Sequence, residues 1–326
     1  MKRRTVCAAL AALPLSAALP ARAQSSAPFR IAWVTTDRKD SPLPNLEAFR
    51  AGLGELGYGE GRNVAIDVWS GDGSGERIGP MAGAIVASRP DVIVTAGGAA
   101  LFPLVRAGVK LPLVYSVSAD PVEARIAESF ARPGGNMTGI SLFALTLVGK
   151  RLELIKEFLP GARRVALVCN PQHPGEHKEL AAAREGASKL GLEVRYFPAN
   201  TAAALEAALA NIARARDDAV LAFADGFTLT FAGRFAAFST EHRIPVVGGW
   251  AQFARQGNLM IYGPVFADVY RRLAAFVDNI RRGAKPGDLP IELPTKVELI
   301  VNARTAKALG IAIPAGVLAR ADEVIP

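Results

Sequence analysis

Residues 90–99 read PDVIVTAGGA, and this stretch decides the fold. Asp91–Thr95 is a β-branched run with no polar face, the pattern of a strand buried on both sides in a parallel sheet. The Thr95–Ala99 turn that follows opens a helix, whose first N–H groups have no partner within the helix itself. Outward in both directions the alternation repeats. Arg30–Thr35, Val64–Trp69, Leu111–Val117, Val165–Val168, Val194–Phe197, Ala219–Phe223 and Pro245–Val247 read as strands. Between them Asn45–Leu56, Arg77–Ser88, Thr146–Phe158, Glu176–Leu190, Ala202–Ala215 and Ala232–His242 read as helices, with Ala303–Leu309 near the end. Strands alternating with helices of this length predict an α/β chain of parallel sheets with right-handed crossovers.

One small sheet cannot hold so many units, so two doubly wound, Rossmann-like lobes are expected. Turn-rich PGGNMTGISL (133–142) and Gly248-Gly249 mark changes of direction, and Pro286–Val301 reads as an extended return. These breaks predict a hinge of several crossings. Residues 24–142 with 248–285 form the first lobe, and 143–247 with 286–326 the second.

The N-terminus reads differently. Lys2, Arg3 and Arg4 precede an apolar run from Ala8 to Leu19, and Ala21-Arg22-Ala23 supplies small residues for cleavage. This is the pattern of a signal peptide (1–23) cut after Ala23, with the general and twin-arginine routes both open. Cys7 falls within that segment, leaving Cys169 as the one cysteine of the exported chain. Taking Lys2, Arg3, Arg4 and Arg22 from the 38 basic residues leaves 34 against 30 acidic ones, a net +4. The charges are interspersed, so nucleic-acid binding is not indicated.

Three motif matches fail on context. Gly52-x-Gly54-x-x-Gly57 fits a dinucleotide fingerprint but lies at the end of a helix rather than between a strand and a helix. His173-x-x-Glu176-His177 fits a zinc-protease pattern, yet Pro174 and Gly175 oppose a helix running through His173. Cys169 ends a core strand. No nucleophile elbow occurs and no cofactor or metal site is indicated, so the chain is read as a non-enzyme.

The loops after the strands carry the positive signal, because ligands of open α/β sheets bind beyond the carboxyl ends of the strands. Those loops hold Thr36; Thr95, Gly97, Gly98 and Ala99; Ser118 and Asp120; Asn170; and Asp225 and Phe227. Small residues and hydroxyls allow close approach of a ligand, and the helix start after Thr95 suits a carboxylate. Trp33, Phe227 and Trp250 are the candidates for an aromatic wall.

Long blocks in order carry a family resemblance over nearly the whole chain from Phe29 to Val324. They are FRAGLGELGYGEGRNVAID (49–67), PDVIVTAGG (90–98), ARPGGNMTGISLFA (131–144), GKRLELIKEFLPGARRVALVCNP (149–171), GNLMIYGP (257–264) and residues 283–314. The chain resembles the ABC-transporter substrate-binding family that includes tryptophan-binding lipoproteins. The resemblance implies a type I periplasmic binding protein fold and no catalysis. Its partners would be a small amino-acid or carboxylate ligand, aromatic in some relatives, and a permease in the inner membrane. It further implies that Thr95–Ala99, Ser118 and Ser141 hold the anionic end of the ligand, that Asp120 and Asp225 meet an ammonium, and that Tyr262 and Gly263 line the hinge side. The expected form is a soluble periplasmic monomer. An α/β enzyme and a ligand-presenting sensor module are the alternatives.

Overall fold

The structure, a computed structural model, describes residues 27–143 and 145–326; the expected signal peptide lies outside them. The chain begins with β1 (Phe29–Thr35), α1 (Pro44–Glu55), β2 (Val64–Ser70), α2 (Ile78–Ala87), β3 (Val92–Ala96), α3 (Gly98–Arg106), β4 (Leu113–Val117) and β5 (Met137–Ser141). Next come α4 (Leu145–Phe158), β6 (Arg164–Cys169), α5 (Glu176–Lys189), β7 (Glu193–Pro198), α6 (Ala202–Ala215), β8 (Ala219–Ala222) and α7 (Gly226–Thr230). The series continues with α8 (Ala232–His242), β9 (Val246–Gly248), α9 (Ala251–Arg255), β10 (Met260–Pro264) and α10 (Phe266–Arg281). It ends with β11 (Val297–Asn302), α11 (Ala303–Leu309), α12 (Ala315–Leu318) and β12 (Glu323–Ile325).

Two sheets result. The first runs β2-β1-β3-β4-β5, all parallel. The second runs β12-β11-β10-β9-β8-β6-β7, with β10 and β11 antiparallel and the other pairs parallel. Its portion β7-β6-β8-β9-β10 repeats the strand order of the first sheet. Each lobe is therefore doubly wound, with its order reversing beside β1 in one and β6 in the other. Helices cover both faces of each sheet, which is why the middle strands are fully buried. Val92, Ile93 and Val94 are 0% exposed, each contributing about 1.5–3 kcal/mol by burial.

The crossings between lobes differ from the expectation. Gly248 does not lead back to the first lobe, because β9 continues the second ladder into β10 through Met260↔Val247 and Ile261↔Gly248. The return comes at Pro264–Phe266, and it brings α10. Val269, Leu273 and Val277 of that helix enter the core beneath β1 and β3. Residues 286–292 also stay with the first lobe rather than passing to the second at 286. Thr138 Oγ1 donates to the Leu289 carbonyl at 2.7 Å, and Glu292 N–H donates to Gly139 at 3.0 Å. The last crossing falls between Leu293 and Val297.

The glycine pattern in α1 finds its explanation here. A Cβ at Gly52 would sit 2.2 Å from the Arg271 carbonyl oxygen, so this glycine lets α1 press against α10. Gly57 follows the helix with φ +83, a left-handed turn that ends it.

Candidate functional site

The carboxyl ends of both sheets contribute loops to a shared cleft. From the first lobe come the turns after β1, β3, β4 and β5. From the second come those after β6, β8, β9 and β10. The two rims touch. Ser118 Oγ and His173 Nε2 are 3.0 Å apart, and Asp120 N–H donates to the Pro174 carbonyl at 3.1 Å. Lys178 Nζ reaches Asp120 Oδ2 at 2.7 Å and Glu123 Oε1 at 2.9 Å. The loop after β4 is thus clasped to the start of α5, and the structure is closed along this edge.

The clasp uses groups expected to meet ligand. Asp120 is 5% exposed; its Oδ1 accepts from the backbone N–H of Val122 and Glu123 while its Oδ2 takes Lys178. Burial raises its pKa, but the Lys178 bond and the backbone donors outweigh that and leave it lowered. This carboxylate is already satisfied and is not open to an ammonium. Ser141 is likewise engaged, donating to the Ala119 carbonyl at 3.1 Å and accepting from Phe143 N–H at 3.2 Å. It ties β5 to the loop after β4.

Other predicted residues lie at the cleft in different states. Thr95 is fully buried, and its hydroxyl has no partner among the described residues. Gly97 takes φ +87 and precedes α3, a conformation that only glycine adopts freely, and Gly98 and Ala99 supply the first N–H groups of that helix. The Thr36 carbonyl accepts from Gly73 N–H, and the Asn170 side chain accepts from Gln172 N–H. Both are therefore turn-forming. Phe227 packs on Phe231 at 5.0 Å, while Trp250 meets Phe266 at 5.4 Å across the second crossing. Tyr262 is half-buried in β10. Trp33 is not a wall residue: it is fully buried between Phe49 and Tyr270.

The second lobe concentrates buried ionisable groups behind its rim. Asp225 caps α7, with Oδ1 accepting from Thr228 N–H at 2.7 Å, while its buried Oδ2 has no partner among the described residues. Burial raises its pKa, opposed by His173. His173 Nδ1 and Glu176 Oε1 are also buried and unpartnered. Burial lowers the pKa of His173, which favours the neutral ring. Burial pushes Glu179 up to about 8 and Cys169 well above its ordinary value. Cys169 is therefore an inert core thiol.

Sequence reasoning missed Arg151. It stands on α4 among Val148, Leu152 and Ile155, which are buried on the same stripe, and is itself 3% exposed. A cation at i+3 from one core residue and i−4 from another was the available signal.

A cavity of about 320 Å³ lies away from the cleft. It opens between α1, α10 and the crossing at 292–296. A smaller cavity of about 10 Å³ lies at the strand ends of the second lobe, beside Ala224, Gly249 and Trp250. No group of three or more His, Cys, Asp or Glu among the described residues could hold a metal ion.

Two doubly wound lobes, three crossings and facing strand ends define a type I periplasmic binding protein fold. The chain belongs to the ABC transporter substrate binding protein family, whose pattern matches residues 34–325. A curated relative is the tyrosine-binding protein of Clostridioides difficile, 23% identical over 270 residues, covering 82% of this chain and 77% of that one. A conserved domain protein from Vibrio cholerae is 28% identical with a TM-score of 0.79, covering 90% of this chain and 99% of that one. The ABC domain from Streptococcus pneumonia, solved in complex with L-Trp, is 22% identical with a TM-score of 0.82, covering 91% of this chain and all of that one. The family is one of substrate-binding proteins of ABC transporters.

Proposed function

We propose that this protein is the periplasmic solute-binding component of an ABC importer. It traps a small amino-acid-like or carboxylate ligand between its lobes and presents it, as a monomer, to a permease in the inner membrane. The signal-peptide pattern that ends at Ala23 supports export. The observation that carries the reading is the clasp: Ser118–His173, Asp120–Lys178 and Asp120–Pro174 join two otherwise separate sheets over a cleft with unpartnered polar groups. Three short crossings provide the hinge about which such lobes open and close.

Within the cleft, Thr95–Ala99 and Ser118 face the ligand from the first lobe, and Asp225, Phe227, Trp250 and Tyr262 from the second. The L-Trp and tyrosine binding named for relatives supports an amino acid, aromatic side chains included. A thermal-shift panel of amino acids, small carboxylates and sugars on residues 24–326 tests this. A ligand at 100 times its Kd adds about 2.7 kcal/mol of stability, which registers as a raised melting temperature. Folded, ligand-free protein that responds to no amino acid or carboxylate contradicts the reading.

A further inference from the structure

We propose that Arg151 receives an anionic group of the ligand, a carboxylate in the first instance, and thereby supplies from the second lobe the charge that selects acids over neutral solutes. The inference rests on the solute-binding reading and goes beyond it by naming the group that decides the ligand's charge.

The geometry begins on α4. Arg151 points from the second turn of that helix toward the ends of β8, β9 and β10. Its Nε donates to the Tyr262 carbonyl at 2.8 Å, which fixes the plane of the guanidinium at the end of β10. The outer edge lies beside Gly249, where a Cβ would fall 2.7 Å from an Arg151 terminal nitrogen and 2.5 Å from Ala224 Cβ. The guanidinium therefore occupies the strand-end floor of the second lobe, next to the residue that precedes Asp225. Gly249 has no side chain, so only its backbone lies against that edge of the guanidinium. A cavity of about 10 Å³ lies beside Ala224 and Gly249, the two residues next to this edge.

The electrostatics make this arrangement unusual. A guanidinium buried this deeply normally carries a bidentate carboxylate. Among the described residues none lies within ion-pair distance of Arg151, and its hydrogen bonding is through Nε alone. Burial pushes its pKa down to about 10, so it remains a cation at neutral pH. Glu179 is the nearest compensating acid, but its own burial lifts it to about 8 and leaves it largely protonated there. The second lobe thus holds an uncompensated buried cation, a costly state that a ligand anion relieves. The helix start at Gly98 on the opposite lobe offers only about half an elementary charge, whereas Arg151 offers a whole one with a planar fork. The unpartnered Oδ2 of Asp225 stands at the same strand ends. Together the two residues present one cation and one anion, the complement of a zwitterion.

The test is calorimetric titration of the wild type, Arg151→Gln and Arg151→Lys with L-tyrosine, L-tryptophan and glutarate. Neutral counterparts, L-tyrosinamide, L-tryptophanamide and glutaramide, are titrated alongside, and ligand-free melting temperatures are recorded. Arg151→Gln is expected to weaken the acids by about 100-fold while moving the amides by no more than about threefold. Arg151→Lys keeps the charge without the fork and recovers part of the loss. The ligand-free melting temperature of Arg151→Gln stays level or rises, since a buried unpaired charge has gone. Unchanged affinity for a bound amino acid in Arg151→Gln, with or without a lowered melting temperature, overturns the assignment and leaves the solute-binding reading intact. Glutarate bound through Arg151, with no amino acid bound, supports the assignment while narrowing that reading to carboxylates. Should Arg151→Gln fail to fold, the wild type alone decides: an amide that binds as tightly as its acid overturns the assignment. Wild-type silence toward every probe overturns both.

Discussion

The two lobes share a strand order but not a chemistry. At the strand ends of the first lobe the side chains are mostly spent. Asp120 is held by Lys178 and two backbone N–H groups, Ser141 ties β5 to the loop after β4, and Thr35 Oγ1 donates to Asp37. The groups without a partner among the described residues there are small and neutral: the Thr95 and Ser116 hydroxyls, beside the first N–H groups of α3. At the strand ends of the second lobe, Arg151 and Asp225 are buried and His173 and Glu176 half-buried, with polar atoms unpartnered or without an ion pair among the described residues. In the proposed reading, duplicated topology sets where a ligand lies, while the charges that recognise it come from one side. The first lobe would then act as a backbone shelf, and the second as the charged jaw that closes on it.

Backbone substitutions should break this contrast most forcefully. A Cβ at Gly263 would meet the Gly249 carbonyl oxygen at 1.6 Å, so Gly263→Ala has to push β9 and β10 apart and unseat Arg151. A loss of about 3 kcal/mol or more is expected in chemical denaturation. Gly97→Ala in the first lobe meets no atom within 4 Å and carries only the strain of φ +87, about 1–2 kcal/mol. Equal losses at the two sites would erase the proposed asymmetry.

Asp225 provides the next test. Asp225→Asn keeps an oxygen for the Thr228 cap but removes the charge, so affinity for an aminated ligand should fall by about 30- to 100-fold with little change in melting temperature. Asp225→Ala also loses the cap and should cost about 1 kcal/mol of stability. Titration calorimetry beside melting curves separates the two effects.

The pH dependence of the jaw follows from Glu179. Its folded pKa, raised to about 8 by burial, exceeds the unfolded value of 4.5, so the folded state holds the extra proton. Stability tied to this group is fully present below pH 4.5 and is lost as pH rises through about 8. Glu179→Gln should flatten that decline, with a difference on the order of 4 kcal/mol between pH 5 and 9 in denaturant melts. Parallel profiles for the two proteins would show that Glu179 ionises freely in the folded state.

Smallest is the clasp. Lys178→Ala removes two exposed-edge contacts and should weaken ligand binding by about three- to tenfold, through faster release. Stopped-flow dissociation measures it, and an unchanged release rate would mean the clasp does not hold the closed form.

Much of this was legible in the sequence, and the gaps have physical reasons. Ala202–Ala215, Ala232–His242 and Ala303–Leu309 fall where their periodicity and flanking residues put them. β5 was hidden because Gly139 looks like a turn residue. In the sheet it sits at φ +151 with no room for a Cβ, 2.0 Å from the Tyr115 carbonyl oxygen, so the strand requires the glycine. The second crossing was misplaced because Gly248-Gly249 resembles a linker, whereas those glycines make room for Phe253, Ala224 and Arg151 at the end of β9. Trp33 reads as a ligand wall by type, yet β1 is central and covered on both faces, which leaves it no path to the cleft. Arg151 sits in a helix rich in Lys and Glu and passes for surface charge. Only the assembled strand ends of the second lobe show it buried.

Closure around a ligand is the central claim, and a distance across the clasp tests it most directly. Spin labels at Ala131→Cys in the first lobe and Ala181→Cys on α5 occupy exposed positions, while Cys169 is buried and unreactive. Pulsed dipolar spectroscopy of the mature protein should show a broad or long distance without ligand and one short distance once the stabilising amino acid or carboxylate is added. The same distance distribution with and without saturating ligand would contradict the account.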